Sequence, residues 1–546
     1  MIHSCISPVR GSVRKFALAG ACAFGLLLSA RAQTQVGPVF YILMENRNFT
    51  TNGDLSGGSV LVGNPAAPYI NSLITPGNPN AKYVSWASAY HNVLATASGN
   101  NAAIHPSEPN YLWMESGSNF GVFNDNDPYG STMQVQFIHN FQQQNPDLST
   151  QNFSGLLQTA GISWRSYQED IDLQNTTGGN GNQSGLLSSS VMPMSQWTVP
   201  LASFSGKGGT YVNPYNGSNQ WNFAVKHNGS LFFPITNGST ITTANLTPSN
   251  PFATVYRPMQ QFAADLQTND VARYNVITPD QYNDMHTALN NGINYAGQLW
   301  TGDSAQVAQG DNFLSIVVPE IMASPAWQNN GVIVIWTDET EGTNRDDFSH
   351  TLEMIVISKL AKGNAYVSTF NFTHSSDLNT MQKLFQVTAN TPSGYLNDAA
   401  SASNSAGAAA GSASGFGTGT AYDLSDLFQA DVIPAAIPVV GVSSESGYVI
   451  NRRLNTVTQT VTVRNLLTLP VTTPIYLAIG DLSSNTSLIN AAGTTQNYAP
   501  FGSPYVVVSA DGLRANGTKT VTLQFAIPAS GKVTDQLTAI TTSGTP

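Results

Sequence analysis

The run Gly331-Val332-Ile333-Val334-Ile335-Trp336-Thr337 is apolar on both of its alternating sets of positions. A strand can carry such a run only if both faces of its sheet are covered, which is the condition of a parallel sheet packed between helices. A second run, Val39-Phe40-Tyr41-Ile42-Leu43-Met44, follows Gly37-Pro38 and has the same character. The first run ends in Asp338-Glu339 and the second in Glu45-Asn46-Arg47-Asn48-Phe49. Ligands of open α/β sheets collect at the carboxyl ends of the strands, so both acidic endings stand where a site would form.

Other elements repeat this alternation. Phe153, Leu156, Leu157 and Ala160 have helical spacing, and Gly161–Tyr167 reads as a strand followed by Glu169-Asp170. Met259, Phe262 and Leu266 predict a helix, Tyr274–Pro279 a strand, Asp311–Ala323 a helix and Leu352–Ser358 a strand. After His374 comes a helical segment through Leu384 and Phe385. Strands alternating with helices across residues 36–390 give an α/β domain with a largely parallel central sheet flanked by helices. Residues 398–420 are Ala, Ser and Gly nearly throughout, as in a flexible segment, and Tyr422–Phe428 is placed to dock back on the domain. The last hundred residues alternate differently. Thr456–Val463, Ile475–Ile479, Tyr505–Val508 and Lys519–Ala526 predict a small C-terminal β-sandwich. The expected division is 1–32, 33–397, 398–436 and 437–546.

Residues 1–32 read as a signal peptide. Arg10, Arg14 and Lys15 precede the apolar run Phe16–Ala30, and Ser29-Ala30-Arg31-Ala32 closes it with a small-residue cleavage pattern. Export to the periplasm or beyond is therefore expected, with no stable membrane anchor. Cys5 and Cys22 both lie in this segment, so the remainder has no cysteine for a disulfide, a zinc site or a thiol nucleophile. Removing it takes away four basic residues and no acidic ones, leaving 17 − 32 = −15. A balance that acidic leaves no overall electrostatic footprint for nucleic acid or anionic lipid.

The candidate chemistry gathers at a few points. His105-Pro106-Ser107-Glu108-Pro109-Asn110-Tyr111 puts a serine before an expected helix, where dipole and backbone N–H groups favour an anion; a simple helix cap is the alternative. Asp338-Glu339 directly after a core strand calls for a cation, and a hard divalent metal meets that need. Asn283-Asp284-Met285-His286 offers a carboxylate and an imidazole two residues apart. Residues 171–250 read as a long excursion over the site, with His227 in Lys226-His227-Asn228 read first as an exposed loop histidine and, as the alternative, as a residue that touches substrate.

Three motifs then carry a resemblance: Leu43–Phe49, Ser107–Tyr111 and Trp336-Thr337-Asp338-Glu339, in that order. They resemble the bacterial and fungal phosphoesterase family of secreted acid phosphatases and phospholipases C, within the alkaline phosphatase superfamily. The likeness spans about residues 36–430 and implies an alkaline phosphatase-like α/β fold. It implies Glu45, Asn46, Asp338 and Glu339 as ligands of a divalent metal, one ion with a second as an option, and Ser107 beside the metal as nucleophile. Asn110 is implied to support a phosphoryl oxygen. Asp284, His286 and His374 are similar to a further metal-side or substrate-side set, and His105 and His350 are candidates for proton transfer. The familiar E-N-R-S-F-D run stands here as E-N-R-N-F-T, and the acidic pair continues as Thr340-Glu341-Gly342. The implied activity is hydrolysis of a phosphate ester through a phosphoserine. A phosphomonoesterase comes first because Trp164–Asp170, Asn283–His286 and Thr373-His374-Ser375-Ser376 resemble the phosphatase branch. A phospholipase C-type phosphodiesterase is the alternative, and a non-catalytic metal-containing binding protein the second. The sandwich is assigned binding, spacing or stability, with no partner named.

Overall fold

The computed structural model describes residues 36–50, 60–93, 105–128, 143–144, 149–173, 194–208, 211–238, 249–341, 350–400, 423–434, 436–496, 500, 502–528, 530–542, 544 and 546. The signal-like segment, both cysteines and most of the 398–420 stretch lie outside these residues. Among the described residues no helix is long and apolar enough to cross a membrane.

The central sheet has eight strands: β1 (Val39–Met44), β2 (Val84–Ala87), β3 (Trp164–Gln168), β4 (Tyr256–Pro258), β5 (Tyr274–Thr278), β6 (Val332–Thr337), β7 (Met354–Ser358) and β8 (Tyr366–Ser368). They lie in the order β8-β2-β7-β6-β1-β5-β3-β4. Strands β6, β1, β5, β3 and β4 pair parallel with one another, as do β8 and β2. Only β7 runs against the strands on either side of it. The fold is thus α/β with a largely parallel, mixed sheet.

Both faces are covered, and the two apolar runs divide accordingly. Val39, Tyr41, Leu43, Val332, Val334 and Trp336 enter one core, while Phe40, Ile42, Met44, Ile333 and Ile335 enter the other. Every residue of β1 and β6 is buried. Helices α1 (Glu108–Ser116), α2 (Phe153–Thr159) and α5 (His374–Phe385) contribute to the first core; α3 (Phe262–Thr268) and α4 (Asp303–Ala323) pack on the second. Helix α4 begins eight residues before its predicted start. Its extra turns bury Ala305, Val307 and Ala308, and Asp303 in the first turn pairs with Arg47 at 2.6 Å. The short turn Leu424–Leu427 packs on the first core through Leu424, Leu427 and Phe428, and Lys383 holds Asp423 at 2.6 Å.

The C-terminal residues form two four-stranded sheets. In one, β9 (Val440–Glu445) and β10 (Val449–Asn451) pair along one edge of β11 (Thr456–Asn465), and β15 (Thr518–Ala526) along the other. The second contains β12 (Ile475–Gly480), β13 (Gly493–Thr494), β14 (Pro504–Ser509) and β16 (Gln536–Thr541). Inward residues such as Val461, Val463, Leu477, Val506, Leu523 and Phe525 share one core. The Thr388 hydroxyl donates to Pro438 O at 3.2 Å and that of Thr468 to Asn390 at 2.5 Å, tying this part to the α/β part.

One buried acid makes stability pH-dependent. Glu353, just before β7, is fully buried with neither carboxylate oxygen hydrogen-bonded. Burial, and next the charge of Asp311, push its carboxyl up to about 8. Below the unfolded value of about 4.3 both states are protonated and the group costs nothing. As pH rises, the unfolded chain ionises first, so stability falls until the folded carboxyl ionises near 8. Glu353→Gln is expected to remove a loss on the order of 2 kcal/mol between about pH 6 and about pH 8. Urea melts at the two pH values check it, and identical slopes for variant and wild type would refute it.

Candidate active site

The carboxyl ends of β6, β1 and β5 lie side by side, and each continues into acids. The chain leaves β1 at Glu45, and Asn46 takes a left-handed conformation with φ 56°. That turn aims the Asn46 N–H at Asp338 Oδ1, 3.0 Å away. Glu45 N–H donates to Asp284 O at 2.8 Å, fixing the loop after β5 against the end of β1. Arg47 staples the same corner. It donates to Met285 O at 2.9 Å and pairs with Glu341 at 2.9 Å, so the Thr340-Glu341 continuation supplies a counter-charge.

Two groups with metal-ligand spacing result, Glu45–Asp338–Glu339 and Glu45–His227–Asp284, with ligand atoms within 4.8 Å of one another. All five residues are no more than 1% exposed. Burial first, then the charges of Glu339 and Glu45, push the Asp338 carboxyl well above the carboxylate range. Burial likewise raises Glu339 and Asp284. Burial would raise Glu45 too, but His227, His286 and Lys226 hold it below its ordinary value. His227 is pulled down by burial and then held up to about 9 by Glu45 and Asp284. Glu45 Oε2 lies 2.9 Å from His227 Nε2, yet neither atom has hydrogen-bond geometry; Glu45 Oε1, Asp338 Oδ2 and Asp284 Oδ2 are also without a hydrogen bond. So many buried oxygens left without donors is the condition a hard divalent cation relieves, and the residues present fit one.

Ser107 precedes α1, but its side chain makes no cap hydrogen bond. Its hydroxyl instead donates to Glu339 Oε1 at 3.0 Å. Three further groups converge there: His105 Nδ1 lies 3.1 Å from the same oxygen, Asn110 Nδ2 donates to Glu339 Oε2 at 3.0 Å, and Lys226 Nζ donates to Ser107 Oγ at 3.4 Å. Lys226 is held by Asp125 at 2.9 Å, and burial, outweighed by Glu45 and Asp125, leaves its pKa above the usual lysine value. Helix α1 ends at Gly117, whose φ of 67° and close approach to Leu396 O leave no room for a Cβ.

The structure brings Ser107, Asn110, His105, Glu45, Asn46, Asp338, Glu339 and Asp284 together. His286 stands half-buried at the rim, its ring 6.4 Å from that of His227. His374 lies behind the acids. Its Nε2 donates to the Asp338 carbonyl at 2.7 Å, since a carbonyl only accepts, which leaves Nδ1 to accept from Tyr90 OH at 2.8 Å and Trp336 Nε1 at 3.1 Å. Burial lowers it to about 4, so it is a neutral ring with both nitrogens engaged, set to position Asp338. His350 is buried and gives its carbonyl to His91 Nδ1 at 3.3 Å; it belongs to neither metal-capable group.

His227 corrects the expectation of an exposed loop histidine. It is 1% exposed, stacked on Tyr111 with ring centroids 5.0 Å apart, and 3.2 Å from Asp284 Oδ2. Gly229 lets this stretch lie on α1, because a Cβ there would stand 2.2 Å from Tyr111 O. The signal was present in the flanks: Trp221, Phe223, Leu231, Phe232 and Phe233 surround Lys226-His227 and are all buried. A third acidic group, Glu169–Asp170–Asp280, sits at the ends of β3 and β5. Asn283 Nδ2 donates to Glu169 Oε1 at 2.7 Å, and burial, then Asp170, raise Glu169 to about 8.

The sequence model of the phosphoesterase family matches residues 78–388, more than half of the chain. No curated protein matches. Among solved structures, similarity is found to a protein of the alkaline phosphatase superfamily from Vibrio parahaemolyticus, at 10% identity and TM-score 0.34, covering 79% of this chain and 78% of that one. The lipoteichoic acid synthase LtaP from Listeria monocytogenes matches at 8% identity and TM-score 0.33, with 66% and 74% covered. The PsFucS1 sulfatase from Pseudoalteromonas sp. matches at 11% identity and TM-score 0.34, with 88% and 83% covered. Overlaps this loose carry no argument about the site.

Proposed function

The chain belongs to the phosphoesterase family, and from that premise we propose an exported, metal-dependent phosphomonoesterase of the acid-phosphatase type that works through a phosphoserine. The α/β region 33–397 carries the reaction, and the sandwich of 437–546 is an accessory domain. The observation that carries the reading is Ser107. Its hydroxyl is left free of capping duty, is held by Glu339 at 3.0 Å and has Lys226 Nζ at 3.4 Å.

Glu45, Asn46, Asp338 and Glu339 would hold the cation, with Ser107 beside it and Asp284 in reach through His227. When bound, the cation would lower the hydroxyl's pKa and offset the negative charge of the incoming phosphate. Ser107 Oγ passes its proton to Glu339 Oε1, 3.0 Å away, and attacks phosphorus in line as the bond to the leaving oxygen breaks. Lys226 and Asn110 present donors to the phosphoryl oxygens, where charge develops. An imidazolium, His286 at the rim or His105 beside Glu339, gives its proton to the leaving oxygen. The same ring then takes a proton from water as that water attacks the phosphoserine and the Ser107 oxygen leaves, and Glu339 returns its proton to that oxygen, so phosphate departs and the hydroxyl is restored. His374 holds Asp338 in place from behind.

The test is hydrolysis of a chromogenic phosphate monoester and of the matching diester, with and without chelator. Chelator-sensitive monoester turnover is the expected result. Diester turnover alone would move the protein to the phospholipase C-type reading. Turnover of neither by metal-loaded protein would leave a binding protein.

A further inference from the structure

The C-terminal sheets bury their apolar residues well, with one exception. The three most exposed large apolar side chains among the described residues are Leu454 at 67%, Val449 at 61% and Ile450 at 60%. All three sit in the hairpin formed by β10 and the start of β11, paired as Val449↔Thr458, Ile450↔Val457 and Asn451↔Thr456. Consecutive residues of a strand point to opposite faces, yet Val449 and Ile450 are both exposed. Val457, opposite Ile450, is buried in the sandwich core, so β11 stays within the sheet, and β10 with the turn after it forms an exposed edge.

Its tip is ordered. Asn451 Oδ1 accepts from the N–H groups of Arg453 and Leu454, both at 3.1 Å, and Asn455 closes the turn at φ 53°. Arg452 and Arg453 are both exposed and have no ion-pair partner among the described residues. The nearby acids lie at the base of the hairpin, where Asp535 accepts from Tyr448 OH at 2.7 Å and Glu445 from Gln459 Nε2 at 3.4 Å. Two adjacent arginines amid bare aliphatic side chains stand out in a chain with 21 basic and 32 acidic residues.

We propose that this hairpin, Tyr448–Leu454, docks the protein on an anionic lipid surface. Aliphatic side chains on an exposed edge enter the boundary between headgroups and acyl chains, while arginines on the same tip reach lipid phosphates. A second copy of the chain fits less well: a stable protein interface buries about 1,600 Å² over two matched faces, and a seven-residue tip falls well short. The charge distribution fixes the orientation of such a contact. The remainder of the chain is acidic and repelled by an anionic surface, so attraction is confined to the tip. Whole-chain charge, which argues against lipid, averages this feature away.

The experiment is flotation of the full mature chain with vesicles of phosphatidylcholine alone or mixed with phosphatidylglycerol, at low and high salt. Binding is expected to the anionic vesicles only and to weaken with salt. Arg452→Glu with Arg453→Glu should lower affinity about tenfold or more. Ile450→Ser with Leu454→Ser should lower it comparably at unchanged charge. These exposed sites leave melting temperature and ester hydrolysis unaltered, which separates this proposal from the catalytic one. Absence of vesicle binding, or binding indifferent to both double variants, would overturn it. So would a concentration-dependent dimer in sedimentation velocity that Ile450→Ser with Leu454→Ser abolishes, because the tip would then belong to a second copy.

Discussion

Ser107→Ala is expected to reduce monoester turnover by about a thousandfold or more while the protein stays folded. The loss follows from removing the atom proposed to bond to phosphorus, which Lys226 and Asn110 cannot replace. The fold should tolerate the change because the hydroxyl does not cap α1 and makes its short contact to Glu339 alone. Losing that hydrogen bond costs at most about 2 kcal/mol. The decisive comparison is kcat against melting temperature in one preparation. Near-wild-type kcat in a folded Ser107→Ala protein would remove Ser107 from the chemistry. A collapse of melting temperature would make the variant uninformative, in which case Ser107→Thr, which keeps a hydroxyl, becomes the comparison: restored folding with impaired kcat would still identify the nucleophile.

Asp338→Asn should separate metal binding from folding. With no cation present, Glu45, Asp338 and Glu339 crowd negative charge into a dry site, and burial and mutual repulsion hold Asp338 well above its ordinary pKa. Asparagine keeps the shape and an oxygen to accept the Asn46 N–H, and removes the ionisable group whose charged form burial disfavours. Chelator-treated Asp338→Asn protein should therefore melt above chelator-treated wild type near neutral pH. Restoring a divalent cation should reverse the ranking. A cation at about a hundredfold its Kd stabilises the wild type by about 2.7 kcal/mol, and the variant, lacking a ligand, should gain little. Metal content by elemental analysis and melting curves with and without cation provide the readouts. Equal metal-induced shifts in both proteins would show that Asp338 is not a ligand.

What the sequence determined by itself is the central sheet and the acids at its edge. Runs such as Val39–Met44 and Val332–Thr337 are apolar at every position, and only a sheet covered on both faces buries them all. Since parallel strands present their carboxyl ends together, Glu45, Asp338 and Glu339 had to be neighbours once β1 and β6 were adjacent. Ser107 before α1 was legible for the same kind of local reason. Strand direction was not so local: the run ending at Ser358 is as apolar as the others, but β7 lies antiparallel to β6, which a pattern of period two cannot report.

Tertiary structure alone decided which distant groups meet those acids. Lys226 and His227 come from a polar excursion with little periodicity; apolar neighbours on both sides carry them onto α1 and Tyr111, which buries His227 and leaves Lys226 half-buried. His374 shows the converse. Its residue type fits proton transfer, but the Asp338 carbonyl, Tyr90 and Trp336 occupy both its nitrogens. Residue chemistry is written locally, whereas burial and hydrogen-bond partners depend on contacts between residues far apart in the chain. That is why the sequence could nominate the acids and the serine, and only the fold could show what surrounds each histidine.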